Sequence, residues 1–270
     1  MDLGYLNSRI RAWSSRLLTA NEYDALISTR DIKSLINHLK ETAYARDIEI
    51  SAARYTDEED IIDGCLKGNL AKTLKAIWDY PPPDARDLIH SVFATWEVYN
   101  LKAILRARDK GISPDDSLAV LMPVGMMDES ALKELNQQKD IMDIVSLLSS
   151  WASPYAVPIR KILQQYMREK NLMIIEIALD RFVHNYLLSI TAGNNLNNMI
   201  ITRFLRQRID SINISTILKL SGEGISPDNA EEYFLDRGEG IDRDDFLRLI
   251  SAKNKKEVLH GLADVVRDGR

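Results

Sequence analysis

Asn100-Leu-Lys-Ala-Ile-Leu-Arg-Ala-Arg-Asp-Lys-Gly-Ile-Ser-Pro-Asp115 and Asn213-Ile-Ser-Thr-Ile-Leu-Lys-Leu-Ser-Gly-Glu-Gly-Ile-Ser-Pro-Asp228 align without a gap. Both place apolar residues at helical spacing and then carry glycine, Gly111 in one and Gly222 and Gly224 in the other, which stops a helix. Working outward, a shorter helical pattern occurs three times. Tyr23, Leu26, Asp31, Ile32, Leu35 and Leu39 are matched, 109 residues on, by Leu132, Leu135, Asp140, Ile141, Ile144 and Leu148. A further 114 residues on stand Phe246, Leu249, Asn254, Lys255, Val258 and Leu262. Solenoid repeats run to about 20–50 residues, so this period is too long for one. The reading is an all-α chain of duplicated helical subdomains related by a pseudo-symmetry axis, a shaped part of a machine rather than an enzyme with one active site.

Three segments follow from the repeats: residues 1–55 hold a first head, 56–155 a long helical hairpin and a second head, and 156–270 another hairpin and a third head, all one contiguous structural unit. In the first, Leu6, Ile10, Trp13 and Leu17 form one apolar stripe. Thr19-Ala-Asn-Glu22 has the form of a capping box, and Asp31 opens the next helix. Thr56-Asp-Glu-Glu-Asp60 supplies a cap and acids at a helix start, where the macrodipole favours them. Pro81-Pro-Pro-Asp84 breaks the helix that follows. From Asp84 to about Lys110 the pattern is unbroken, a rod of roughly 40 Å at about 1.5 Å per residue. Its stripe is read as Leu88, Val92, Trp96 and Tyr99, with Trp96→Ala costing about 3–5 kcal/mol if that side chain is fully buried. The second head runs from Asp128 to Ser150. Helices are expected from Pro158 to about Lys170, from Leu172 onward, and from about Leu196 to Leu220, where Gly222 and Gly224 end the last. The third head spans Asp242 to about Ala263. Strand-like alternation with turn signals is missing.

Composition narrows the function. Hydrophobic residues make up 45% of 270, enough for a core, while Gly (12) and Pro (8) are scarce. The net charge of −5 argues against a nucleic-acid binder. A single cysteine, Cys65, rules out an internal disulfide and reads as core filler. The N-terminus lacks the form of a signal peptide, and no apolar stretch reaches the roughly 18–20 residues that span a bilayer. The expectation is a soluble cytoplasmic chain, one able to dock on a membrane protein.

Motifs of chemistry fail one by one. His38, His90, His184 and His260 stand far apart and read as surface or boundary residues rather than metal ligands. No HExxH, GxxxxGK, GxGxxG or GxSxG motif occurs. Asp236 to Phe246 resembles half a calcium loop, but Phe234 would occupy its first ligand position and Glu239 the place of the usual glycine. Asp242 reads instead as a helix N-cap with Asp245 three residues on. Trp13, Trp78, Trp96 and Trp151 read as core packing, and Arg9, Arg11 and Arg16 as a solvated face. The polar residues shared between repeats are Glu97 with Asn100, and Asp210 with Asn213. An acid and an amide at i, i+3 share a helix face, where they would serve structure by satisfying neighbouring helix ends. No catalytic, cofactor or metal residue is assigned.

Tyr5-Leu-Asn-Ser-Arg-Ile-Arg-Ala12, Ser15-Arg-Leu-Leu18, Tyr23 and Leu39-Lys-Glu-Thr-Ala-Tyr44 resemble the N-terminus of the C subunit of the archaeal and bacterial A/V-type ATPases, the counterpart of the eukaryotic d subunit. Glu97-Val-Tyr-Asn-Leu-Lys-Ala-Ile-Leu-Arg106 resembles that family's signature, and Ile175-Glu-Ile-Ala-Leu-Asp-Arg-Phe182 with Asp210-Ser-Ile-Asn213 is similar to its second copy. The resemblance runs from Tyr5 to roughly Leu262. It implies a funnel of three subdomains with pseudo-threefold symmetry. It also implies a function without chemistry: a socket on the cytoplasmic face of the membrane, peripheral to it, that receives the central-stalk shaft and sits on the proteolipid ring. Such a part couples ring rotation to ATP synthesis or to ATP-driven ion pumping. The family pattern continues past the third head with another long helix, whereas this sequence stops at Arg270. That leaves either a short variant or a truncation, and a third wall left incomplete. The other readings are a helical-repeat adaptor for a cytoplasmic protein partner and, more remotely, an enzyme with a dispersed acid site.

Overall fold

The computed structural model describes residues 4–82, 85–222, 227–252 and 254–267. Among these are fifteen α-helices and no strand. The chain divides into two compact units, Met1–Glu97 with Val120–Lys133, and Val98–Ala119 with Glu134–Arg270.

The first unit opens with α1 (Gly4–Ser14), α2 (Ala20–Ile27), α3 (Ile32–Leu39) and α4 (Ala45–Ala52), then the long α5 (Glu58–Asp79) and the first half of α6 (Arg86–Asp109). Thr19 and Glu22 form the capping box at α2: the Thr19 hydroxyl accepts from Glu22 N–H and the Glu22 carboxylate accepts from Thr19 N–H. Asp31 caps α3 by accepting from Ser34 N–H at 2.7 Å. At α5 the cap is Asp57, not Thr56, with Glu58, Glu59 and Asp60 filling the first turn. Ile36, Leu39, Ile48 and Cys65 form the core here, joined by Leu26, Leu35 and Ile61.

The second unit takes the rest of α6, then α7 (Pro114–Leu118), α9 (Ile141–Ser150), α10 (Ala156–Glu169), α11 (Leu172–Ile190), α12 (Leu196–Leu220), α13 (Pro227–Glu231), α14 (Arg243–Ile250) and α15 (Lys255–Arg267); α8 (Glu129–Asn136) lies on the division between units. Asp140 caps α9 through Asp143 N–H at 2.9 Å, and Asn254 caps α15 through Glu257 N–H at 3.0 Å. Asp31, Asp140 and Asn254 are the same position of the threefold sequence pattern, so the repeat is a repeat of helix starts as well as of apolar residues. Phe246, Leu249 and Val258 of the third head are buried with Ile217, Ala230, Ile241 and Ile250.

Several side chains fall elsewhere than the periodicity predicts. In α6, Leu88 is buried, but Val92, Trp96 (42% exposed) and Tyr99 face outward. The buried positions are instead Phe93, Ala94, Glu97, Val98, Leu101, Ile104 and Leu105. Apolar residues lie all round this helix, so spacing alone admits more than one stripe, and the buried face is the one that carries Phe93, Val98, Leu101, Ile104 and Leu105. The cost of truncating a fully buried tryptophan therefore does not apply to Trp96. Helix α1 stops at Ser14, which leaves Leu17 outside its stripe and exposed. Trp13 and Trp78 are half-buried and Trp151 is exposed, so none of the four tryptophans is a fully buried core residue. Arg9 is not simply solvated. Its guanidinium lies 4.4 Å from the Tyr80 ring centre and 5.3 Å from that of Trp13, a cation–π site. His90 and His184 are buried rather than at the surface. Helix α4 was not legible, and α10 begins at Ala156, before Pro158. Pro83, Asp84 and Gly224 lie outside the described residues.

Candidate functional site

The acid-and-amide positions of the repeat are all buried on the two long helices. Glu97, Asn100 and Asn213 have no solvent exposure, and Asp210 has 9%. Buried carboxylates must be hydrogen-bonded, since an unpaired charge away from water is costly.

In the first unit, Glu97 projects from α6 toward the turn at residues 124–127. That turn closes on itself, with Val124 N–H donating to Met127 O (2.9 Å) and Met127 N–H to Val124 O (3.0 Å). Its outward-turned amide, Met126 N–H, donates to Glu97 Oε1 at 2.7 Å. The other oxygen, Oε2, lies 3.1 Å from His90 Nε2, one helical stretch earlier on α6. Gly125 makes the approach possible. Its φ is +61°, and a Cβ there would overlap Glu97 Oε1.

In the second unit, Asp210 does the same from α12 with more donors. Its Oδ2 accepts from Glu239 N–H (2.9 Å) and Gly240 N–H (2.8 Å), and its Oδ1 from Ile241 N–H (3.1 Å). Three consecutive amides thus converge on one carboxylate. A Cβ at Gly238 would overlap Asp210 Oδ1. One turn further along α12, Asn213 grips Leu235 at both backbone atoms: its Nδ2 donates to Leu235 O (2.8 Å) and its Oδ1 accepts from Leu235 N–H (3.0 Å). These contacts explain the loop that looked like half a calcium site. Its amide hydrogens point inward at a carboxylate, the opposite polarity from a cation cradle, and Asp242 then caps α14 through Asp245 N–H.

Sequence reasoning found both acids but missed their glycines. The signal was present: Gly125 follows Glu97 at the spacing with which Gly238 follows Asp210. The acids satisfy loop amides rather than helix ends. Also unread were two rungs between α6 and α11 in the second unit. Lys102 Nζ lies 2.6 Å from both oxygens of Asp180, and Arg106 Nε donates to Glu176 Oε1 at 2.6 Å. Lys102 and Arg106 are four apart, as are Glu176 and Asp180, so the two helices present complementary pairs with matching rise. The Glu176 hydrogen bond raises Arg106 above the usual arginine value, so the guanidinium of that rung stays charged. Arg181 donates to the carbonyls of Glu231 (3.0 Å) and Glu232 (2.8 Å), closing the end of α13.

The chemistry of these groups is that of fasteners. Asp210 is held by backbone donors, Glu97 by a backbone amide and the His90 ring, and Asp180 and Glu176 by side-chain cations. Among the described residues, no three His, Cys, Asp or Glu side chains are grouped to hold a metal ion, and no helix is long and apolar enough to cross a membrane.

Comparison with known proteins covers nearly the whole chain. A sequence profile of the family described as ATP synthase (C/AC39) subunit matches residues 6–266. The C subunit of the A-type ATP synthase of Methanothermobacter thermautotrophicus is 25% identical over 259 residues, which cover 96% of this chain and 64% of that protein. Its namesake in Methanocaldococcus jannaschii is 25% identical over 258 residues, again 96% and 64%. The C subunit of the V-type ATP synthase of Deinococcus radiodurans is 24% identical over 212 residues, covering 78% of this chain and 58% of that protein. The chain thus spans somewhat under two thirds of the length of these relatives.

Proposed function

Because the chain belongs to the ATP synthase (C/AC39) subunit family, we propose that it is a non-catalytic rotor subunit of an A/V-type ATP synthase. In this reading it is a socket between the central-stalk shaft and the proteolipid ring, peripheral to the membrane through protein contacts. Its three heads, within residues 1–55, 56–155 and 156–270, are the walls of a funnel related by pseudo-threefold symmetry. It takes no cofactor and performs no bond chemistry. It passes torque between a turning ring and the sites where ATP is made or hydrolysed.

The observation that carries the reading is the repeated acid lock. A part that transmits torque must not shear. Glu97 against the turn at 124–127, and Asp210 against 239–241, tie a loop to a long helix through charge-assisted hydrogen bonds, stronger than neutral ones. The Lys102–Asp180 and Arg106–Glu176 rungs add directional cross-links between helices. Exposed apolar residues on α12 support docking to a partner. Leu196, Met199, Ile200 and Phe204 stand exposed at helical spacing along α12, an apolar strip suited to cover by a helical partner.

The test is capture of tagged full-length chain from native membranes under conditions that keep the rotary complex whole, followed by mass spectrometry. Recovery of proteolipid and shaft subunits at matched stoichiometry is the expected result. A soluble protein partner with neither of those subunits would replace the socket with an adaptor.

A further inference from the structure

We propose that the seam between α4 and α5 is a binding site for a small phosphate-bearing ligand, a role independent of assembly into a rotor. The seam holds a cavity of about 380 Å³ within the first unit. Small-molecule sites begin near that size, at roughly 300 Å³.

Two glycines line the space. At Gly64 the helices touch: an added Cβ would overlap the Ser51 hydroxyl and the Tyr55 ring. At Gly68, one turn further along α5, a Cβ would meet nothing within 4 Å. The seam therefore closes at Gly64 and stands open to solvent at Gly68.

Charge and hydrogen bonding say what fits. Arg46 from α4, Arg54 from the turn that follows it and Lys72 from α5 line the cavity, against a single acid, Asp47. That acid is already engaged, accepting from Asn69 Nδ2 at 2.6 Å and lying 3.7 Å from Lys72 Nζ. Among the described residues, neither Arg46 nor Arg54 meets a carboxylate, in a chain whose net charge is −5. The Ser51 hydroxyl is buried in this seam, with no hydrogen-bond partner among the described residues. An orphaned buried hydroxyl is a cost unless something accepts from it. Two guanidinium forks, an ammonium and a hydroxyl around one space are the donors a tetrahedral oxyanion uses. Cys65, on the same wall, does not oppose an anion, because burial and then the nearby Asp47 charge push its thiol up to about 11 and keep it neutral.

The experiment uses the full chain with inorganic phosphate as probe, followed by phosphorus-31 line broadening and by thermal melting against chloride at equal ionic strength. Two variants share the test: Arg46→Gln/Arg54→Gln, which removes the forks, and Gly68→Leu, which fills the space while keeping every charge. Saturable binding to the parent chain is expected, weakened at least about tenfold in both variants, the loss of one or more charge-assisted hydrogen bonds. Circular dichroism confirms that each variant folds. A parallel arm sediments the chain with vesicles of phosphatidic acid or of phosphatidylcholine alone. Binding to free phosphate without sedimentation assigns a soluble ligand, and sedimentation with phosphatidic acid that both variants lose assigns a lipid headgroup. Absence of both, or binding that Gly68→Leu leaves unchanged, overturns the proposal and leaves the arginines as a solvated face.

Discussion

Replacing Gly125 by alanine strikes the lock on Glu97 in two separable ways. The residue sits at φ +61°, where an L side chain costs about 1–2 kcal/mol. The new methyl also occupies the space of Glu97 Oε1. Glu97 has no solvent exposure, so a displaced carboxylate cannot recover its lost Met126 hydrogen bond from water. A hydrogen bond to a charged group is worth about 1.5–3 kcal/mol, which brings the expected loss to about 3–5 kcal/mol. Two other glycines isolate the parts. Gly111 has φ +66° with nothing within 4 Å of an added Cβ, so Gly111→Ala carries the backbone cost alone, about 1–2 kcal/mol. Gly238 is not left-handed, yet its Cβ would overlap Asp210 Oδ1, so Gly238→Ala carries the contact alone, about 2–3 kcal/mol. All three changes stiffen the unfolded chain alike, and that effect cancels in the comparison. The assay is equilibrium urea unfolding by circular dichroism, with all four proteins in one buffer. If Gly125→Ala and Gly111→Ala unfold within about 0.5 kcal/mol of each other, the carboxylate is not held by the turn, and the lock is a coincidence of distance.

Other consequences follow from the same side chains. Burial pushes His184 below its ordinary 6.5, helped by the charges of Arg208 and Lys102 and opposed by its bond to the Asp180 carbonyl and by the Asp180 charge. A depressed histidine favours proton uptake by the unfolded chain, so its contribution is whole above 6.5 and declines as pH falls below it, by at most about 1.4 kcal/mol per pH unit. His184→Leu should flatten the melting-temperature profile between neutral and mildly acid pH, and an unchanged slope would assign the acid sensitivity elsewhere. Cys65 is buried and protonated to about pH 11, so a thiol reagent at pH 8 should label it at the rate of unfolding; immediate labelling of native protein would place it at the surface. Asp180→Ala removes the rung to Lys102 and should cost about 0.5–1 kcal/mol, less in high salt because both partners are partly exposed. A loss independent of salt would count against an electrostatic rung.

The helices and their repetition are properties of the sequence. Caps such as Thr19, Asp31, Asp140 and Asp242 act within four residues of themselves, and α12 runs from Leu196 to Leu220 as its spacing foretells. Local signals suffice there because the hydrogen bonds are local. The faces of the helices are not local properties. Along α6, apolar side chains surround the helix, and the choice of Leu101 and Ile104 over Trp96 for burial was made by what packs against it. Glu97 and Asp210 were visible as repeated acids, but their partners lie about thirty residues away at glycines whose role is to have no side chain. A missing atom leaves no periodicity to read. The seam is a similar case: only when α4 lies beside α5 do three cations separated in the sequence come to line one cavity.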